Sequence, residues 1–136
     1  MAVEFVIKSV QDSTRLEFGG EVARGLEGYD GYTFTATLAG GPVTASVHVY
    51  DIQFQHWMAF FADLAANWRG WSGTKTCESL EGHLLLEASS DRAGHVRLRV
   101  RLRGSLDEDD WLAESSVHLE AGQLERLASG AADYFG

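Results

Sequence analysis

Two stretches of this chain match without a gap at a separation of 70 residues. SVHVYDIQFQHWMAFFADLA (Ser46 to Ala65) lies over SVHLEAGQLERLASGAADYF (Ser116 to Phe135). Ser, Val and His open both copies, Gln53 faces Gln123, and Ala62-Asp63 faces Ala132-Asp133. A repeat at fixed period constrains the architecture before any single element does, because each copy must fold the same way. Two copies are too few for a solenoid. They imply one domain over residues 1–136, built from pseudo-repeats of about 1–69 and 74–136.

Hydrophobic period supplies the elements. Val3, Phe5 and Ile7 alternate with Glu4, Val6 and Lys8, and Arg15–Phe18 reads as a second strand ending at Gly19-Gly20. Tyr32, Phe34, Ala36 and Leu38 alternate with threonines, and Val43, Ala45, Val47 and Val49 alternate with polar residues after the Gly40-Gly41-Pro42 turn. Period two with β-branched and aromatic residues predicts half-buried strands. Asp51 is placed to cap a helix whose stripe runs Phe54, Trp57, Met58, Phe61, Leu64, Ala65 and Trp68, with Gly70 and Gly73 ending it. Lys75–Leu80 and His83–Ser89 read as a hairpin about Glu81-Gly82. Val96 to Leu102 and Trp111 to Leu119 alternate again, and Leu124, Leu127, Ala128, Ala131 and Phe135 make a closing helical stripe. The fold class is therefore α+β, an antiparallel sheet of roughly eight strands with two helices, strands then helix, twice. Further upstream the copies align at an offset of 64, which isolates Ser105–Asp110 as an acidic insertion at a hairpin tip.

Charge and composition narrow the partners. With 20 acidic and 11 basic residues the formal charge is −9. That disfavours nucleic acid and anionic membranes and favours a basic partner. No apolar run approaches the roughly 20 residues that a spanning helix requires. The start, MAVEFVIKSV, lacks the basic and apolar regions of a secretion signal. Cys77 is the sole cysteine, which excludes an internal disulfide and points to a reduced, cytoplasmic setting.

Candidate chemistry is thin. His48 and His118 hold matching positions in the two copies and would line a pocket or pair across a pseudo-twofold axis, yet alternation turns both away from the core. Arg97, Arg99, Arg101 and Arg103 form a basic stripe on one strand face, explained most simply by pairing with Glu87, Glu114 or Glu120. Phe60 falls off its helix stripe, and Trp71 sits in a glycine-flanked connector. Each is a candidate partner contact, with Trp71 equally suited to plugging the core. Asp107, Glu108, Asp109 and Asp110 form the acidic tip. None of the fingerprints of a nucleophile elbow, a zinc helix, a phosphate loop or a dinucleotide fold appears, so no catalytic, cofactor or metal residues are assigned.

Read in order, Phe60-Phe61-Ala62-Asp63-Leu64, Trp68-Arg69-Gly70-Trp71, Glu78-Ser79-Leu80-Glu81-Gly82 and Asp91-Arg92-Ala93-Gly94-His95-Val96 form a series from Asp51 onward. The series resembles a family of small actinobacterial proteins classed as a domain of unknown function, the 6228 family. More loosely it is similar to the WapI-type immunity proteins of bacterial toxin systems. The resemblance implies an intracellular protein that acts by binding and has no catalytic residues. The turn DxxGH also has a structural account, with Asp91 closing an Asx-turn and Gly94 supplying positive φ. The first copy keeps Asp30-Gly31-Tyr32 at the matching place. The expectation is a non-catalytic, immunity-like binding protein that engages a protein partner through an acidic or aromatic surface. Its alternative is a small ligand-binding protein or enzyme with a pocket between sheet and helices.

Overall fold

A computed structural model of the chain describes residues 3–24 and 32–136, with side chains described over 4–19 and 33–136. The turn expected at Asp30-Gly31 lies outside the described residues. The elements are β1 Val3–Lys8, β2 Arg15–Arg24, β3 Tyr32–Ala39, β4 Ala45–Asp51, α1 Gln55–Ala66, β5 Thr74–Glu78, β6 Leu84–Ser90, β7 His95–Arg103 and β8 Leu112–Glu120. A short 3-10 turn, Ala121–Gln123, then leads into α2, Leu124–Phe135. The eight strands and two helices follow the strands–helix, strands–helix pattern, and the strands divide into two antiparallel four-stranded sheets. Each sheet is a meander in chain order, β1-β2-β3-β4 and β5-β6-β7-β8. Within each sheet every strand pairs with its chain neighbour, and α1 separates β4 from β5.

The two copies bury the same positions. Val47 and Val117, Val49 and Leu119, Phe54 and Leu124, Trp57 and Leu127, Phe61 and Ala131, and Leu64 and Tyr134 are all buried. Where α1 carries Phe60, α2 carries Gly130, and the difference has a use. A Cβ at Gly130 would stand 2.9 Å from the Phe5 ring, so the missing side chain admits β1 against α2. The hairpins differ more. Phe34 faces Val49, but Leu98, its equivalent in the alignment, faces Val117 and not Leu119. The register of β7 against β8 is therefore shifted by two residues from the one that aligning the copies implied.

One continuous apolar cluster joins both sheets and both helices. Its centre is aromatic: Phe135 of α2 meets Phe18, Phe34, Phe54 and Trp57, with ring centroids 5.3 to 6.3 Å apart. Mostly edge-on contacts of this kind add to the burial of large apolar surface. The helices pack on each other, α1 reaching β5 and α2 reaching β1. Near the other end, Val10 donates its amide to the His118 carbonyl at 2.8 Å, and Ser9 Oγ accepts from the His118 amide at 3.1 Å. The β1–β2 turn thus covers part of the β8 edge.

Three local expectations are corrected. Asp51 does not cap α1. It ends β4, is buried, and accepts a hydrogen bond from the Trp57 indole at 3.0 Å, while Phe54 holds the N-cap. The α1 stripe stops before Trp68. Asn67 turns back onto Asp63 and ends the helix, leaving Trp68 half exposed beneath the Arg69 guanidinium. Trp111 lies just outside β8 and is exposed, so the inward run of that strand reduces to Val117 and Leu119.

Candidate functional site

Four exposed large apolar residues lie at one end of the second sheet. Leu80, Leu106, Trp111 and Leu112 are each more than 40% exposed. The β5–β6 turn and the β7–β8 tip hold them together. Arg103 donates from Nε to the Gly82 carbonyl at 3.0 Å and from its amide to the His83 carbonyl at 3.1 Å. Leu106 lies over Gly82, where a Cβ would meet its Cδ2 at 2.6 Å. Leu112 pairs with Arg103 and shares a shallow cleft with Val43, itself 69% exposed. Asp107, Glu108, Asp109 and Asp110 stand beside this patch, all exposed.

The tip is ordered by its own side chains. Asp107 accepts from the Asp109 amide at 2.9 Å, and Asp110 from the Trp111 amide at 2.8 Å. Hydrogen bonds from Ser105 and from the Trp111 amide hold the Asp110 carboxyl below its ordinary pKa. No ion pair involves these four residues among those described, so their charge faces solvent.

Phe60, a candidate aromatic contact, belongs to the core, and Trp71 takes the core-plugging alternative of its two expected placements. Phe60 is buried against Phe61. Trp71 is buried and donates its indole hydrogen to the Ala88 carbonyl at 3.2 Å, with the Lys75 ammonium over its ring. Satisfying the indole on a strand carbonyl allows the connector to close one end of the core. Sequence spacing missed the burial of Phe60, because it leaves that residue off the helix stripe. Of the exposed apolar residues, Leu106 lies within the insertion that the repeat isolates and Trp111 directly follows it.

The histidines separate. His48 is exposed, with Nδ1 3.2 Å from the Thr35 hydroxyl. His118 is half buried and lines a cleft of about 410 Å³ with Val10, Ser89, Asp91, His95 and Arg97. Among the described residues no group of three or more His, Cys, Asp or Glu side chains is placed to hold a metal ion.

The arginine stripe divides. Arg99 and Arg101 both bind Glu114, Arg101 from Nε at 3.0 Å. Burial raises the Glu114 carboxyl, but hydrogen bonds from Arg101 and Arg99, and then their charges, outweigh it and hold the pKa low. Arg103 is spent on Gly82, and Arg97 donates from Nε to the Ser116 hydroxyl at 2.9 Å.

Asp51, His56 and Cys77 form a third cluster. His56 Nε2 lies 3.3 Å from Asp51 Oδ2, and the Cys77 thiol points at the His56 carbonyl, 3.8 Å away. These residue types suit a nucleophile, but the thiol faces a backbone oxygen rather than the imidazole. Burial, then the Asp51 charge, pushes its pKa to about 12. A thiol held protonated is a poor nucleophile.

Against known proteins, a family model described as a family of unknown function, DUF6228, matches residues 8–136, and the chain belongs to that family. No curated protein and no solved structure matches the chain.

Proposed function

We propose that the chain is a non-catalytic binding protein that holds a basic protein partner at the β7–β8 tip. One observation carries this reading: Leu80, Leu106, Trp111 and Leu112 are exposed together beside Asp107–Asp110. Interfaces place exposed Trp and apolar residues at their centre and charge at the rim. Acidic residues beside such a centre select a basic partner and speed its approach. The tip lies in the segment by which the second copy departs from the first, so the scaffold does not require it. A net charge of −9 extends the same field over the molecule. The similarity to WapI-type immunity proteins supports an immunity-like form of this reading, in which the partner is a basic toxin met inside a bacterial cell.

The two parts of the patch make different demands, which provides the test. A partner is recovered with the purified chain from the native host and its kinetics are measured. Replacing Asp107, Glu108, Asp109 and Asp110 by Ser should slow association and flatten its salt dependence. Trp111→Ala with Leu106→Ser should leave association nearly intact and speed dissociation at least tenfold, the loss of about 1.4 kcal/mol or more that central interface residues carry. Unchanged kinetics in both variants would remove this end of the molecule from the binding site.

A further inference from the structure

The opposite end of the second sheet has a different chemistry. There the β6–β7 turn, the end of β8 and the β1–β2 turn enclose the cleft of about 410 Å³. Its size lies within the range that small ligands occupy. Its walls set the exposed apolar side chain of Val10 beside the side chains of His95, Arg97 and His118. In a chain of net charge −9 this is a local gathering of groups that are or become cationic.

The carboxylates nearby are already engaged. Asp91 Oδ1 accepts from the Ala93 amide at 2.7 Å and the His95 amide at 3.1 Å, and Oδ2 lies 2.6 Å from His95 Nδ1. That contact holds the His95 ring by one nitrogen and leaves Nε2 as its other polar atom. Asp12, which feels the His118 charge, accepts from the Thr14 amide at 3.0 Å. Arg97 differs from Arg99 and Arg101 in having no carboxylate partner among the described residues. Its Nε is held by Ser116, which fixes the guanidinium plane and leaves both terminal nitrogens. The His118 ring makes no hydrogen bond among the described residues, although its backbone is fastened on both sides by Ser9 and Val10. A guanidinium fork held in place beside imidazoles suits the paired oxygens of a phosphate or carboxylate.

We propose that this cleft binds the oxyanion head group of a small molecule, with Arg97 as the bidentate donor, His118 and His95 as flanking donors, and Val10 against the ligand's apolar part. The site lies at the far end of β7 from the partner surface and stands independently of it. Arg99, two residues along the same strand face, makes no such site, because Glu114 already occupies it.

The test is titration of the full chain with inorganic phosphate and, separately, with acetate, followed by two-dimensional amide NMR. Saturable shifts confined to residues 10–11, 89–97 and 116–119 are expected with at least one probe. The probe that saturates at lower concentration identifies the head group as phosphate or carboxylate. Arg97→Gln should raise the dissociation constant at least about tenfold, as loss of a charge-assisted pair does. Arg99→Gln should change it less than about twofold. Both replaced side chains are exposed, and a well-dispersed spectrum confirms the fold of each variant. Shifts that fail to saturate with both probes, that fall elsewhere, or that persist equally in Arg97→Gln would overturn the proposal.

Discussion

Trp57 shows how one residue serves packing and polarity together. It is fully buried, and its indole is the donor that Asp51 receives inside the core. Trp57→Ala should lower stability by about 3–5 kcal/mol in a urea titration, the range for a large aromatic removed from a packed core. Trp57→Phe keeps most of the apolar volume but removes the donor, leaving Asp51, among the described residues, to the His56 contact. Its cost should fall between, near the 1–3 kcal/mol of a buried acceptor left short of a partner. Equal losses in the two variants would show that volume plays no separate part. Cys77 makes the second prediction at this scale. Burial raises its thiol from 9.0 to about 12, and burial raises the Tyr134 phenol from 10.0 to about 12. A folded pKa above the unfolded one contributes stability below the unfolded value and loses it as pH rises toward the folded one. Stability should therefore decline between about pH 9 and 12. The thiol should resist a disulfide reagent at pH 8 until denaturant is added. Immediate labelling of the native protein would refute its burial.

At the scale of elements, strands and helices were legible because their periods are. Val47 and Val49 reappear as Val117 and Leu119, and Trp57, Phe61 and Leu64 of α1 and Leu124, Leu127, Ala131 and Phe135 of α2 are buried where spacing selects them. The pairing of the arginine stripe with Glu114 was also visible, since opposite charges on facing strands need only the correct register. What spacing could not give was the fate of residues at element ends. Asp51 looks like a cap because it precedes a helical stripe. It is a core acceptor because the turn before α1 brings the Trp57 indole onto it. Trp68 continues the stripe in sequence, but Asn67 ends the helix just before it. The candidate site divided in the same way: the acidic tip was visible as a break in the repeat, whereas Leu80 joins it from a separate turn, which needed three dimensions. The β3–β4 turn offers a sharp test of such local geometry. Gly40 has φ of +94°, and a Cβ there would lie 1.8 Å from the Ser13 carbonyl oxygen. Gly41, its neighbour, has open space around it. Gly40→Ala should cost well over 1 kcal/mol, while Gly41→Ala should be near neutral. Similar effects at both positions in thermal unfolding would contradict the turn as built. The acid limb belongs here too. Glu114 and Asp91 titrate low in the fold, so their contributions are present above the unfolded carboxyl range and fade as pH falls through it. Glu114→Gln should remove part of that acid sensitivity.

For the whole molecule, the repeat and the core pull in opposite senses. The sequence describes two equivalent halves, each with four strands and a helix. The packing gives neither half its own interior. Phe135, from the last helix, is set among Phe18, Phe34 and Phe54 of the first half, and Phe5 of β1 occupies the space that Gly130 leaves open on α2. Helix α1 in turn packs on β5, so the contacts between halves run both ways. A core shared in this manner makes independent folding of the halves unfavourable, since each alone would expose an aromatic face to water. The full chain should unfold in one transition, with tryptophan fluorescence and far-ultraviolet circular dichroism giving coincident urea midpoints. Residues 1–69 and 74–136 expressed separately should each lack cooperative unfolding, and mixing them should restore it. Two resolved transitions in the full chain, or a cooperative transition in either piece alone, would mean that the duplicated units still fold as separate bodies. Because Phe135 and Gly130 sit in the second piece and their partners in the first, Phe135→Ala should weaken recombination of the pieces and destabilise the intact chain together.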